Sequence, residues 1–531
     1  MSWKQHWTLA VSCLTVALVI GSMAALYTSL ADLAVATEAS QLQLTWIVDG
    51  YTLALACLLL PAGALGDRYG RRNVLILGLV VFSAASAIPL FLSDPVHLIA
   101  ARALAGVGAA FMMPSTLSIM TSTFPVEKRG RAGGIWAGVA GAGAVLGMLC
   151  SGLLLQWWSW ESIFVAFVVA GIALLIAACT LPESRQSIRH PMDFVGSVSV
   201  ATAIGLIVIA LIEAPARGWT DLAVLALFAG GTLATVVFVV VELRITHPLL
   251  QLRMLADRGF GSGALSVALQ FLVMFGLAFL IVQYLQLILG YGAMKSALAI
   301  APIGLPLVVV SALTPWLGPR VGLRLLTVPG FLLIATGLYL MSLLNADAVY
   351  VEILWPLLLI GGGMGLCMAP ATTAIVNATP ADEQGVAAAV NDAAREVGAA
   401  IGIAIAGSVL AAGYTHEIQP ILAQLPPQAR DAFSDSLSAA SQVARSMGSA
   451  TQPFVESAEA AFLHGYSQGM FMLAAATVVS ALVLALWAPE RDAGLPEEEA
   501  SPYGRHAKRD QGPLDKPPVA VERGFSLASR E

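Results

Sequence analysis

The chain has 531 residues, of which 58% are hydrophobic and only 11% charged, less than half the charge density of an ordinary soluble domain. Its mean hydropathy of +0.81 excludes a water-soluble fold. Its formal net charge of −6, spread without a basic stripe, excludes a nucleic-acid binder.

The apolar residues come in blocks of about twenty, the length that carries a helix across a bilayer. Fourteen such blocks are expected, near positions 8–30, 44–65, 74–92, 98–120, 132–155, 161–181, 194–213, 221–242, 259–283, 295–315, 325–344, 352–376, 386–413 and 466–488. Each must be a helix, because lipid offers no partner to an open backbone. The first block is too long for the core of a signal peptide and has no small-residue cleavage pattern, so it reads as a span. Cys13, Cys57, Cys150, Cys179 and Cys367 lie inside apolar blocks with no metal-ligand spacing, so neither a metal site nor a disulfide framework is expected. If the N-terminus is cytoplasmic, 21 of the 27 Lys and Arg residues fall on the cytoplasmic side and three outside. That bias sets both termini inside.

Two segments depart from short connections. The stretch 414–465, before the last span, is long and polar, and is either a helical hairpin over the outer mouth or a solvated loop. The tail 489–531 is rich in Pro and Glu and is expected to be disordered. Leu65-Gly66-Asp67-Arg68-Tyr69-Gly70-Arg71-Arg72, after the second block, shares the pattern L-G-x-R-x-G-x-R with Leu317-Gly318-Pro319-Arg320-Val321-Gly322-Leu323-Arg324, after the tenth. A transporter built from two related halves shows such a repeat. The expected organisation is an N-terminal six-helix half (1–190), two inserted linking helices (191–258) and a C-terminal six-helix half (259–488).

In the first of these loops, glycines permit a sharp turn and Asp67 can pair with an arginine. Gly63, Asp67, Arg68, Gly70, Arg71 and Arg72 therefore form either a switchable latch or a plain basic turn. The segment Gly63–Arg72, GALGDRYGRR, resembles the signature loop of the major facilitator superfamily. Arg102 to Gly108 resembles its R-x-x-x-G-x-G motif, and Gly138, Gly143 and Gly147 resemble its glycine-rich antiporter motif. Trp46-Ile47-Val48-Asp49-Gly50-Tyr51 and the stretch from Glu396 to Ala404 are similar to fourteen-span drug:proton antiporters, including quaternary-ammonium exporters. The resemblance implies alternating access driven by a proton gradient, with no other cofactor. Where that family carries an Asp in span one, this chain has Ser22, and Met148 replaces the Pro after Gly147.

Intramembrane charge is a separate argument, because ionisable residues inside spans are costly and mark function. Asp49 and Arg102 fall at similar depths in spans two and four, so movement of Arg102 could load and release a proton on Asp49. In span thirteen, Asp392 and Glu396 share a face with Arg395 between them. An Asp392–Arg395 pair would leave Glu396 as a second proton or cation site, deeper along the helix. Met113, Trp136, Gln270, Phe275 and Gln283 are candidates to line an apolar substrate cavity, although such residues more often pack within the core. Isolated His97, His247 and His464, with no P-loop and no nucleophile motif, argue against an enzyme or an ATP-driven pump. The expected protein is a monomeric all-α exporter in the inner (plasma) membrane, moving small lipophilic or cationic compounds in exchange for protons. Export of an endogenous lipid or metabolite is the alternative. Membrane lipids are its surroundings, and nucleic acid is not a partner.

Overall fold

A computed structural model describes residues 3–184, 193–245, 248–250, 252–379, 384–425, 427–447 and 452–489; the tail expected to be disordered lies outside them. The described residues are helical, with no strand. Among the described residues, thirteen helices are long and apolar enough to cross a membrane, against the fourteen expected. They are α1 (Trp3–Ala25), α2 (Gln41–Tyr69), α3 (Arg71–Ala87), α4 (Pro95–Thr123), α6 (Glu161–Ala178), α7 (Phe194–Arg217), α8 (Leu222–Arg244), α9 (Arg258–Leu287), α10 (Ala293–Thr314), α11 (Arg320–Ser342), α12 (Tyr350–Asn377), α13 (Gln384–Leu422) and α14 (Gln452–Trp487). The fifth expected span is also a helix, α5 (Val126–Leu154), with a described apolar stretch at Gly138–Leu154.

The helices outrun the apolar blocks. A 3-10 turn, Leu26–Ser29, carries α1 on into Leu30–Thr37, where Asp32 is an exposed helical residue. Between α13 and α14 lie two short helices, Pro427–Asp435 and Leu437–Met447. Among the described residues, the stretch 414–465 is therefore largely helical. The Tyr414 hydroxyl donates to the Phe433 carbonyl at 2.8 Å, and Leu437–Met447 packs against both the α1 extension and α14.

Both repeat loops place a glycine with positive φ at the same motif position, Gly70 at φ 106° and Gly322 at φ 82°. An L side chain is disfavoured there, so the repeat is one of backbone shape as well as of letters. Elsewhere, helices approach closely over small residues. A Cβ at Gly147 of α5 would come within 2.6 Å of the Gly21 Cα of α1. Of the inserted pair, α7 packs on α2 and on α13 and thus touches both halves, while α8 keeps most of its apolar surface outward.

We call the end of the bundle that carries Gly66–Arg72 the loop end, and its opposite the distal end. The halves meet from mid-depth to the distal end. Gln41 Nε2 donates to Gln283 Oε1 at 3.1 Å, Gln286 Nε2 donates to the Thr28 carbonyl at 2.7 Å, and Gly407 lies against the Thr45 side chain.

Candidate functional site

Asp49 sits eight residues into α2, roughly 12 Å along its axis. It is fully buried, and neither carboxylate oxygen has a hydrogen-bond partner. Arg102 of α4 is also buried, but it does not pair with Asp49. Its guanidinium lies 4.2 Å from the Tyr51 ring centroid. Its Nη2 donates to the Ser22 carbonyl at 3.1 Å and its Nε to the Ile47 carbonyl at 3.3 Å, and Nη1 has no partner. The Tyr51 hydroxyl donates to the Val19 carbonyl at 2.9 Å, which fixes the ring. An Arg102–Asp49 ion pair is thus absent from this state. The ring face and two carbonyls hold the arginine, because a desolvated guanidinium gains from an aromatic face and from charge-assisted hydrogen bonds. Ser22, where the resemblance places a carboxylate, meets Arg102 through its backbone instead, and its hydroxyl donates to the Val19 carbonyl at 3.0 Å.

The second cluster lies on α13. Asp392, Arg395 and Glu396 are all buried. Arg395 Nη1 stands 3.8 Å from Asp392 Oδ1, the pairing expected from the spacing. Its guanidinium also lies 4.6 Å from the Phe271 ring centroid. Glu396 Oε2 has no partner. Gln270 Nε2 donates to the Ser266 hydroxyl and carbonyl at 3.1 and 3.0 Å, which leaves Gln270 Oε1 unpartnered.

An aromatic row runs from this cluster toward the first. Phe271 stacks on Phe275 at 6.0 Å, and Phe275 lies 6.5 Å from Tyr27. The Tyr27 hydroxyl is buried without a partner, within reach of the charges of Asp49 and Arg102. Of the other cavity candidates, Met113 and Trp136 are packed inside the N-terminal helices, where Trp136 Nε1 donates to Thr116 Oγ1 at 3.2 Å. Gln283 serves the contact between halves described above. A cavity of about 530 Å³ lies elsewhere, between α7 and α8, lined by Leu206, Ile209, Leu227, Glu213 and Arg217. There Glu213 accepts from Trp46 Nε1 at 3.0 Å and from Arg217 Nε at 2.9 Å.

At the loop end, Asp67 pairs with Arg71 at 2.8 Å, and Arg71 Nη1 donates to the Ser118 carbonyl of α4 at 3.1 Å. Arg72 Nη1 donates to the Leu181 carbonyl at 3.2 Å. Arg68 lies over Tyr69, and Gly63 faces Pro114 at ordinary contact distance. Sequence reasoning missed Glu183, just beyond α6. It accepts from the backbone N–H of Arg72 at 3.2 Å, faces the Arg72 side chain at 3.8 Å, and fills the space that a Cβ on Gly70 would need. Its one sequence signal was an acid just past the end of a span. In the antiporter motif, Gly147 and Gly143 face α1 closely, whereas nothing lies within 4 Å of a Cβ at Gly138. Gly21, the partner of Gly147, lies outside that motif.

The family model described as "Major Facilitator Superfamily" matches residues 12–403. The chain is 31% identical over 386 residues to "Multidrug resistance protein Stp" of Mycobacterium tuberculosis, covering 72% of each. It is 32% identical over 442 residues to "Multidrug efflux pump LfrA" of Mycolicibacterium smegmatis, covering 82% of this chain and 87% of that one. Among solved structures, a bacterial homolog of the human lysosomal transporter Spinster, in an inward-facing and unoccupied conformation, aligns with a TM-score of 0.63 and 17% identity, over 92% of this chain and 97% of that one. That likeness is one of fold.

Proposed function

Because the chain belongs to the major facilitator superfamily, we propose that it is a secondary transporter, not an enzyme, that exports small lipophilic and preferentially cationic drugs or toxic compounds in exchange for protons. The relatives named as multidrug resistance and efflux proteins support the substrate class. The observation that carries the coupling is the state of Asp49 and Glu396. Each is a buried carboxylate with unpartnered oxygen; Arg102 lies on the Tyr51 ring, and Arg395 lies on the Phe271 ring and faces Asp392.

An ionised carboxylate without a partner costs several kcal/mol in a dry interior. Each acid must therefore be neutralised, by a proton or by a cation. When the same carboxylate accepts either one, the two exclude each other, and a proton entering drives a cation out. Arg102 and Arg395 set the contest, because a guanidinium that left its ring for the carboxylate would displace both. Tyr27, Phe275 and Phe271 offer the apolar, aromatic surface that a lipophilic cation needs.

The Lys and Arg bias assigns the loop end to the cytoplasm, in the inner membrane of a bacterium. On that assignment, the contacts at the distal end describe a closed outer side, and the state is inward-facing. The transporter acts as a monomer, with lipid around it.

The test is efflux of a lipophilic cation from vesicles under an imposed pH gradient, comparing the native protein with Asp49→Asn and Glu396→Gln. Transport that follows the gradient and is lost in either variant supports antiport. Failure of any cation to move under any gradient refutes the drug-cation reading and redirects the search to neutral lipids and metabolites.

A further inference from the structure

The inserted hairpin α7–α8 begins and ends on a carboxyl group. Asp193 caps α7, and its Oδ1 accepts from the Gly196 N–H at 2.7 Å. Glu242 lies near the end of α8, and its Oε2 accepts from the Leu250 N–H at 3.0 Å, in the connector that leads to α9. Each carboxyl thus has one oxygen satisfied by backbone. The other two oxygens, Asp193 Oδ2 and Glu242 Oε1, have no partner, although the residues are only 6% and 4% exposed.

Those two oxygens converge on Gly196. A Cβ there would strike Asp193 Oδ2 and come within 2.6 Å of Glu242 Oε1. Two carboxylates crowded into one such space cannot both be ionised at low cost, because like charges at close range repel strongly in a dry site. Among the described residues, no cation pairs with them. Arg244 on α8 and Arg253, Asp257 and Arg258 on the connector side are exposed. The charged groups on the helices that α7 packs against are bound elsewhere or remote. On α13 Arg395 faces Asp392, with Glu396 a turn beyond; on α2 Asp67 pairs with Arg71, Arg68 covers Tyr69, and Asp49 is deep in the bundle. At the far end of α7, Glu213 binds Arg217. Among the described residues, Asp193 is the charged side chain whose field acts on Glu242.

We propose that Asp193 and Glu242 bind one shared proton between Oδ2 and Oε1, and that this proton closes a clasp joining the start of the inserted hairpin to the connector entering α9. The proton makes one oxygen a donor and leaves the other an acceptor, so a single ligand satisfies both unpartnered atoms. The site is separate from Asp49 and Glu396 and does not depend on what the protein transports. The sign follows from the geometry. With the proton bound the clasp is closed; as pH rises and the proton leaves to water, two buried carboxylates face each other and the clasp opens.

The test uses the full chain in lipid nanodiscs, with infrared difference spectra taken from acid to mildly alkaline pH. In an Asp49→Asn, Glu396→Gln background, which removes the two proton sites proposed above, the protein is expected to show a protonated-carboxyl band, titrating with pH, that disappears when Asp193→Asn is added and equally when Glu242→Gln is added, because one proton belongs to both. Thermal stability of the native protein should fall as pH rises, whereas Glu242→Gln, whose amide N–H can donate permanently to Asp193 Oδ2, should lose that dependence. The glutamine variant leaves the Asp193 cap intact, so a folding defect in the asparagine variant does not remove the test. A band that survives either substitution overturns the proposal. So does a protein of that background with no such band that is stabilised instead by added sodium or calcium, which would make the pair a cation site.

Discussion

One of the close approaches in the N-terminal half is a crossing of backbones, and it gives a sharp steric prediction. At Gly147 an added methyl would lie 2.6 Å from the Gly21 Cα and 2.8 Å from its carbonyl carbon. An ordinary carbon–carbon contact is about 3.5–4.0 Å, so Gly147→Ala requires α1 and α5 to separate by roughly 1 Å. The obstacle is backbone, so no side-chain rotation can relieve it. Overpacking of this kind costs about 1–3 kcal/mol. Gly138 belongs to the same motif, but nothing lies within 4 Å of a Cβ there, and Gly138→Ala should change stability by less than about 0.5 kcal/mol. The assay is thermal unfolding of the full chain in nanodiscs, with transport measured in parallel. Gly147→Ala should unfold at lower temperature and transport less, and Gly138→Ala should match the native protein. Equal effects at the two positions would refute the packing argument and assign the motif's glycines a role other than close approach.

Three further outcomes are expected. Tyr51→Leu should destabilise the protein by about 3 kcal/mol, about 2 kcal/mol for the desolvated cation–π contact and about 1 kcal/mol for the hydroxyl bond to Val19, while Tyr51→Phe keeps the ring face and should cost only the latter; thermal unfolding of both checks this. Glu183→Gln keeps an acceptor for the Arg72 N–H and should transport nearly normally, because the partly exposed ion pair it loses is worth only about 0.5 kcal/mol, whereas Gly70→Ala, at φ 106° and against the Glu183 carboxylate, should lose most transport in the same efflux assay. A cross-link between cysteines placed at Gln41 and Gln283 should stop transport, and reduction should restore it; undiminished transport by the cross-linked protein would show that this contact persists through the cycle.

The all-helical class, most of the spans (thirteen of the expected fourteen among the described residues) and the paired loops were legible because lipid imposes a length on each span and a turn imposes a glycine. Gly70 and Gly322 were picked out by letters, and both prove to need positive φ. The limits of the spans were not legible from apolar length, because helix continues into water once its nucleus exists; that is why α1 reaches Thr37 through its extension and α14 starts at Gln452. The charged residues of the site were found one by one, since burial of charge is rare enough to mark them. Their partners were not. Arg102 is held by the carbonyls of Ser22 and Ile47, and every residue has a carbonyl, so no letter announces it. Glu183, Gly21 and the Asp193–Glu242 pair are each brought to their partners by tertiary packing across long stretches of chain, and periodicity carries no information about that.

The arrangement of arginines follows one physical logic. A buried Arg–carboxylate pair is a stable but inert unit: the acid stays ionised and has no reason to take up a proton. With Arg102 on Tyr51 and Arg395 shared between Phe271 and Asp392, Asp49 and Glu396 are left with unpartnered oxygens that only an external ligand can satisfy. The cost is local instability, and the rings limit it, because a guanidinium on an aromatic face retains much of its stabilisation without neutralising an acid. On the proposed antiport, converting either ring to an aliphatic side chain should weaken proton-dependent exchange more than it weakens binding of a neutral substrate, since on that mechanism only the exchange depends on keeping the carboxylate free. Parallel loss of both in Phe271→Leu, measured by efflux of a cationic and a neutral lipophile from the same vesicles, would show that the ring merely packs.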